Sequence, residues 1–244
     1  MIDARSRLIV ALDLPSRSEA LSAIERLAGR VGAFKVGLEL FVREGPALVE
    51  TILKRGEQVF LDLKLHDIPN TVAGAVRSAC SLGVHMLTLH AAGGRRMLES
   101  AREAANASSR PPLLLAVTAL TSLSTEEIRS IGVPDAAGLW VERLAGIAIQ
   151  SGMGGLVTSP LEVSHLRART GPDVKLVTPG IRPAGLAAQD QSRIAEPGSA
   201  ILAGADYLVV GRPILKAPDP AEAASRIVAE IQQALFSLRH PQKT

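Results

Sequence analysis

The chain has 244 residues, of which 47% are apolar and only 2% are aromatic, and its formal net charge is +3. This length suits one α/β barrel or two small domains, and the composition is that of a soluble globular protein with a large aliphatic core. The single cysteine, Cys80, excludes an intramolecular disulfide, and the absence of long apolar runs and of basic or aromatic clusters disfavours membranes and nucleic acid as partners. We therefore expect a cytoplasmic protein.

Short runs of leucine and β-branched residues alternate with longer amphipathic stretches along the whole chain. The short runs predict eight strands, at Leu8–Leu12, Ala33–Leu38, Gln58–Lys64, His85–His90, Leu113–Thr118, Gly155–Thr158, Lys175–Thr178 and Tyr207–Val210. Helices are predicted between them, among others at Ser18–Ala28 after a Ser16 or Ser18 cap, at Glu44–Arg55, and at Pro220–Leu238 after Asp219.

Eight successive strand–helix units indicate a parallel sheet, because a parallel return needs a crossover connection. In a chain of this length they favour closure into a single (β/α)8 TIM barrel, an α/β fold forming one domain over residues 1–244. An open doubly wound sheet remains the alternative, because periodicity does not reveal closure. In a barrel, functional side chains are expected just past the carboxyl ends of the strands.

The third predicted strand carries two opposite charges on one face. Side chains alternate along a strand, so Asp62 and Lys64 would both point into the barrel while Leu61 and Leu63 face the helices. A buried salt bridge that only fixes packing would explain an isolated pair of this kind. Lys35 on the inward face of strand two and Asp67 just beyond strand three make an alternating array of charges, and such clusters are typical of catalytic sites.

The residues after strands seven and eight have the composition of a phosphate site. Arg182 and Arg212 can each clasp a phosphate, and Gly180, which follows Pro179, and Gly211 let backbone N–H groups approach the phosphate closely. Either arginine alone would be read as a solvated cation at a helix start, whereas two at neighbouring strand ends favour phosphate binding. The connection Ala184 to Pro197 is long and polar, and we expect it to close as a lid over the phosphate.

The run Asp62-Leu63-Lys64-Leu65-His66-Asp67-Ile68-Pro69-Asn70-Thr71 resembles the signature of the orotidine 5′-monophosphate decarboxylase family. Other segments are similar to that family in the same order and at the same spacing: Val10–Asp13, Lys35–Gly37, Leu120–Ser122, Val177–Pro183 and Val210–Pro213. The resemblance covers nearly the whole chain, and no functional position departs from it. It implies decarboxylation of orotidine 5′-monophosphate to UMP without a cofactor or a metal.

The resemblance also implies a role for each matching residue. Lys64 would protonate C6 of the pyrimidine, with Asp62, Lys35 and Asp67 completing the charge array. The remaining roles implied are ribose binding by Asp13 and Lys35, pyrimidine recognition by Thr121 and Ser122, phosphate binding by Gln191, and entry of Asp67, Ile68 and Thr71 into the site of the other subunit of a homodimer.

Two rival functions remain from the sequence. One is a Mg2+-dependent keto-sugar-phosphate decarboxylase or aldolase of the same superfamily, which would place a carboxylate near the position of Lys35. The other is a non-catalytic nucleotide-binding barrel. A lysine at position 35 opposes a divalent cation, and the histidines show no ligand spacing, so we expect no metal.

Overall fold

Eight short, largely apolar strands form one closed parallel barrel in the computed structural model, which describes residues 3–133, 136–183 and 195–240. Each strand pairs with its neighbours in chain order, and β1 closes the ring on β8 through Leu8, Ile9 and Val10. The strands are β1 Leu8–Ala11, β2 Ala33–Gly37, β3 Val59–Leu65, β4 Met86–His90, β5 Leu113–Val117, β6 Gly155–Val157, β7 Lys175–Thr178 and β8 Tyr207–Val210. The prediction of a (β/α)8 barrel is confirmed, and the open sheet is excluded.

Helices cover the outside of the barrel. Within the described ranges the α-helices are α1 Arg17–Leu27, α2 Leu38–Glu44, α3 Pro46–Lys54, α4 Pro69–Leu82, α5 Gly94–Asn106, α6 Thr125–Ser130, α7 Ala137–Gln150, α8 Val163–Thr170, α9 Pro197–Leu202, α10 Arg212–Leu215 and α11 Pro220–Arg239, with 3-10 turns at Ala4–Arg7 and Ala91–Gly93. The predicted caps at Ser16 and Asp219 are confirmed, since each side chain accepts a backbone N–H of the first helical turn. In this part of the chain no helix is both long and apolar enough to cross a bilayer.

The predicted helix Glu44–Arg55 is confirmed as α3, which begins at Pro46 and ends at Lys54, while Glu44 is the last residue of the separate helix α2. Gly45 lies between α2 and α3 at φ +64°. The N–H of Gly45 donates to the carbonyl of Phe41 and ends α2, and Pro46 then begins α3 at a position where a missing N–H costs nothing. The predicted start of the helix was therefore two residues too early.

Two apolar layers hold the barrel together. The larger lies between the strands and the helices, and the smaller fills the barrel interior. The interior layer consists of Ile9, Ala11, Ala33, Phe60, Met86, Leu115, Val177 and Val209. Phe60 points inward and Leu61 outward, as the alternation of β3 predicts, so the interior is a packed floor beneath the charged residues at the strand ends.

Candidate active site

A cleft opens at the carboxyl ends of the strands, where a barrel is expected to carry its chemistry. Apolar side chains of the barrel interior form its floor, and charged side chains stand around its rim. Its lining residues are Ala11, Asp13, Lys35, Phe60, Asp62, Lys64, Val117, Ala119, Leu120, Thr121, Val157, Pro179, Gly180, Arg182, Val209, Gly211 and Arg212. Most of the predicted site residues therefore meet in one cleft although they lie far apart in the sequence.

One side of the cleft holds a charge cluster consisting of Asp13, Lys35, Asp62 and Lys64. The Lys64 ammonium lies 2.9 Å from both carboxylate oxygens of Asp62, and Lys35 Nζ lies 3.4 Å from Asp62 Oδ2 and 3.3 Å from Asp13 Oδ1. Asp62 and Lys35 are largely buried, whereas Asp13 is exposed. The cluster thus places one buried carboxylate between two ammonium groups at the edge of the cleft.

The pKa of Asp62 lies below its ordinary value. Burial acts to raise it, but the positive charges of Lys35 and Lys64 and hydrogen bonds from Lys64 and Thr88 outweigh the burial. The carboxylate is therefore ionised at neutral pH, and it holds the Lys64 ammonium by two contacts of equal length. A fixed cation beside a cleft can stabilise negative charge that develops on a bound molecule.

The backbone at the end of β3 departs from regular strand geometry. Leu61 pairs with Leu87 and Leu65 pairs with Leu89, so three residues of β3 stand opposite the single residue Thr88. Within this bulge Lys64 has φ +50°, and it is the one non-glycine residue with positive φ in the described part of the chain. This conformation is uncommon for a residue with a Cβ, and it turns the lysine at the strand end.

Thr88, which contacts Asp62 and Lys64, was not among the residues predicted from the sequence. Its buried hydroxyl accepts the backbone N–H of Lys64 at 2.9 Å and donates to Asp62 Oδ1 at 2.9 Å. Its position could have suggested a role in the site, because Thr88 is the polar residue between Met86 and His90 on the inward face of β4. A threonine in a strand is otherwise unremarkable, so only the bulge in β3 reveals its contacts.

The phosphate-binding residues predicted after β7 and β8 lie on the opposite rim. Arg182 is buried, and one of its guanidinium nitrogens donates to the carbonyl of Ile181 at 3.0 Å. Arg212 and Gly211 are half-buried and line the cleft with Pro179 and Gly180. The structure thus brings two guanidinium-bearing residues to the side of the cleft away from β3, as the sequence predicted.

The base of the predicted lid is fixed at this rim. Arg182 N donates to Ala195 O at 2.9 Å, and Ala195 N donates to Gly180 O at 3.2 Å. Pro197 begins α9. Residues 184–194, which include Gln191 and most of the proposed lid, lie outside the described residues, so both interpretations stay predictions.

The two residues expected to recognise the pyrimidine, Thr121 and Ser122, lie after β5 in different surroundings. Thr121 lines the cleft, whereas Ser122 is exposed and does not line it in the single chain. The helix cap here is Ser124, which exchanges hydrogen bonds with Glu127 in a capping box. Thr121 therefore lines the cleft without capping α6.

The segment predicted to serve a neighbouring subunit lies on the surface. Asp67, Ile68 and Thr71 are exposed, with Ile68 67% exposed, and none of them lines the cleft of its own chain. The Asp67 carboxylate accepts the N–H of Ile68 at 2.6 Å. A single chain therefore assembles three members of the predicted Lys-Asp-Lys-Asp array and leaves Asp67 outside it.

Two further polar residues, His90 and Arg95, do not line the cleft. Burial, the neighbouring His66 and Lys64 lower the pKa of His90, while Asp62 acts to raise it. Arg95 is exposed at the start of α5 and donates to Gln150. Among the described residues no group of three or more His, Cys, Asp or Glu side chains is arranged to hold a metal ion.

Comparison with known proteins identifies related chains over nearly the full length. Residues 6–227 match the model of the Orotidine 5'-phosphate decarboxylase / HUMPS family. The orotidine 5'-phosphate decarboxylase of Syntrophotalea carbinolica is 50% identical over 240 residues, covering 96% of this chain and 98% of that protein. That of Halorhodospira halophila is 53% identical over 228 residues, covering 93% and 97%. The crystal structure of the Lactobacillus acidophilus orotidine 5'-phosphate decarboxylase superimposes with a TM-score of 0.83 at 38% identity, over 92% of this chain and 98% of that one.

Proposed function

Because the chain belongs to the Orotidine 5'-phosphate decarboxylase / HUMPS family, we propose that its cleft converts orotidine 5′-monophosphate to UMP and CO2. The enzyme is then a carboxy-lyase of pyrimidine biosynthesis. One observation carries the assignment to this cleft: Asp62 lies between the ammonium groups of Lys35 and Lys64 on one rim, while Arg182 and Arg212 line the other.

The two rims fit the two ends of a nucleotide. A phosphate dianion bound at Arg182, Gly211 and Arg212 would receive charge-assisted hydrogen bonds from guanidinium groups. The ribose would then face Asp13 and Lys35, and the pyrimidine would reach Lys64 and Asp62. Thr121 and Ser122 would bind the polar edge of the base, and Gln191 would bind the phosphate from its loop.

Breaking the bond between C6 and the carboxylate leaves the electron pair on C6, where no neighbouring π-system is well placed to delocalise it. The Lys64 ammonium stabilises this developing charge and then transfers a proton to C6, forming the C6–H bond of UMP as CO2 departs. The neutral amine regains its proton from solvent. Asp62 aims the ammonium, because both carboxylate oxygens contact it at 2.9 Å.

The two ammonium groups beside Asp62 disfavour a metal-dependent reaction in this cleft. A divalent cation at this carboxylate would stand beside the ammonium groups of Lys35 and Lys64, at a strong electrostatic cost. The test supplies purified protein with orotidine 5′-monophosphate and EDTA, and separately with keto-sugar phosphates and Mg2+. EDTA-resistant formation of UMP supports the proposal. Turnover of a keto-sugar phosphate alone, or UMP binding without any turnover, would overturn it.

We further propose a homodimer in which Asp67, Ile68 and Thr71 of each chain complete the site of the other. The exposure of Ile68 and the absence of Asp67 from the cleft of its own chain support this arrangement. In a symmetric dimer, mixing Lys64→Ala and Asp67→Asn subunits places both defects in one site of the heterodimer and leaves the other site intact. Random mixing should then restore about a quarter of the wild-type sites. No recovery in proven heterodimers would place Asp67 in its own chain's site or outside catalysis.

A further inference from the structure

We infer that Thr88 is a positioning residue for the decarboxylation, holding the Asp62 carboxylate and the Lys64 backbone in the arrangement that aims the Lys64 ammonium. The inference rests on the proposed function and assigns a part to a residue that does not line the cleft. It follows from the way in which the end of β3 is held against β4.

The directions of the two hydrogen bonds of Thr88 are fixed by chemistry. The Lys64 N–H can only donate, so Thr88 Oγ1 accepts it, and the single hydroxyl hydrogen is left for Asp62 Oδ1. An ionised carboxylate can only accept, which agrees with this assignment. One hydroxyl therefore connects the backbone of the proposed acid to the side chain that aims it.

Thr88 also takes the place of a backbone partner. Because three residues of β3 face one residue of β4, the ladder is interrupted at Lys64. The threonine hydroxyl accepts the Lys64 N–H and so stabilises the turn that gives Lys64 its positive φ. Thr88 is fully buried, so water does not readily replace its hydroxyl.

The consequence for catalysis is geometric. Without the hydroxyl, Asp62 can rotate away from the position in which both of its oxygens contact Lys64, and the strained backbone of Lys64 can relax. The Lys64 ammonium would then lie farther from C6 of the pyrimidine, while the rim that carries Arg182 and Arg212 would be unchanged. The loss should therefore fall on kcat, with nucleotide affinity preserved.

The experiment compares Thr88→Val, which removes the hydroxyl at nearly constant shape, with Thr88→Ser, which keeps it. We expect Thr88→Val to lower kcat for orotidine 5′-monophosphate by about 10- to 100-fold, the range for losing a hydrogen bond to a charged group. KM and the dissociation constant for UMP should change little, and Thr88→Ser should retain most of the activity. The acidic limb of the kcat profile should move to higher pH in Thr88→Val, because a bond that lowers the pKa of Asp62 is lost.

Thr118→Val is the matched control, since it removes a buried hydroxyl that donates to the backbone carbonyl of Val157. If Thr88→Val does not fold, the ratio of kcat between Thr88→Ser and Thr88→Ala provides the same test. Unchanged kcat in folded Thr88→Val, or equal losses in the Val and Ser variants, would overturn the inference. Failure of the wild-type protein to turn over orotidine 5′-monophosphate would instead overturn the proposed function.

Discussion

Replacing Asp62 by asparagine should destabilise the protein, because two ammonium groups depend on one carboxylate. The side chains of Asp62 and Lys35 are only 11% and 12% exposed, and that of Lys64 is 29% exposed. Removing one partner of a buried ion pair typically costs about 3–5 kcal/mol, and the partial exposure of Lys64 places this case at about 3 kcal/mol. For a chain of this size that corresponds to a fall in Tm of about 6–12 °C at neutral pH.

The pH dependence of this difference is a sharper test than its size. The folded-state pKa of Asp62 is lowered, so its stabilising contribution is full above the ordinary pKa of 3.8 and is lost as the pH falls through the lower folded value. Denaturant titrations of wild type and Asp62→Asn should therefore differ at pH 7 and converge below pH 3.8. Asp13→Asn, which removes an exposed partner of Lys35, is the control and should cost no more than about 1 kcal/mol. An Asp62→Asn variant as stable as wild type at pH 7 would refute the claim that the carboxylate offsets the two ammonium charges.

Two further predictions concern the phosphate rim and the barrel wall. Arg212→Ala should lower kcat/KM for orotidine 5′-monophosphate by about 10- to 100-fold, because a charge-assisted hydrogen bond is lost. The control is Arg226→Ala, on the exposed face of α11, which should leave kcat/KM unchanged. Equal kcat/KM values for the two variants would show that Arg212 does not bind the substrate. Gly155→Ala should lower the free energy of unfolding by about 1–3 kcal/mol, because the new Cβ would lie 2.5 Å from the Lys175 carbonyl oxygen. The control is Gly146→Ala in α7, where a Cβ has open space, and this change should leave the free energy of unfolding unchanged or raise it. If Gly155→Ala lowered the free energy of unfolding no more than Gly146→Ala, the packing described around Gly155 would be contradicted.

The strands were predictable from sequence because their apolar and β-branched residues leave few alternatives. All eight predicted strands are present, with ends displaced by no more than one residue, and those of β7 and β8 agree in full. Closure of the barrel did not follow from periodicity, because the pairing of β1 with β8 joins residues at opposite ends of the chain. The helix predicted to begin at Glu44 begins at Pro46, because Gly45 ends α2 and separates the two helices.

Much of the site was predictable for a different reason. Alternation along β3 places Asp62 and Lys64 inward, and the barrel brings strand ends together, so the charge cluster and the arginine rim follow from the order of the elements. The role of Thr88 could not be predicted in this way, because its contacts depend on a bulge in β3 that no residue type in the sequence indicates. The contacts of Asp67 could not be predicted either, because its proposed site lies in a second chain and one sequence does not specify how two copies meet.

The central claim is that Lys64 at the end of β3 performs the chemistry in this cleft. The most direct measurement is kcat for orotidine 5′-monophosphate in wild type and Lys64→Ala, together with the UMP affinity of both and with Lys54→Ala as an exposed-lysine control. Lys64→Ala should abolish measurable turnover while it still folds and binds UMP, and Lys54→Ala should behave as wild type. A folded Lys64→Ala variant with kcat near that of the wild type would contradict this claim.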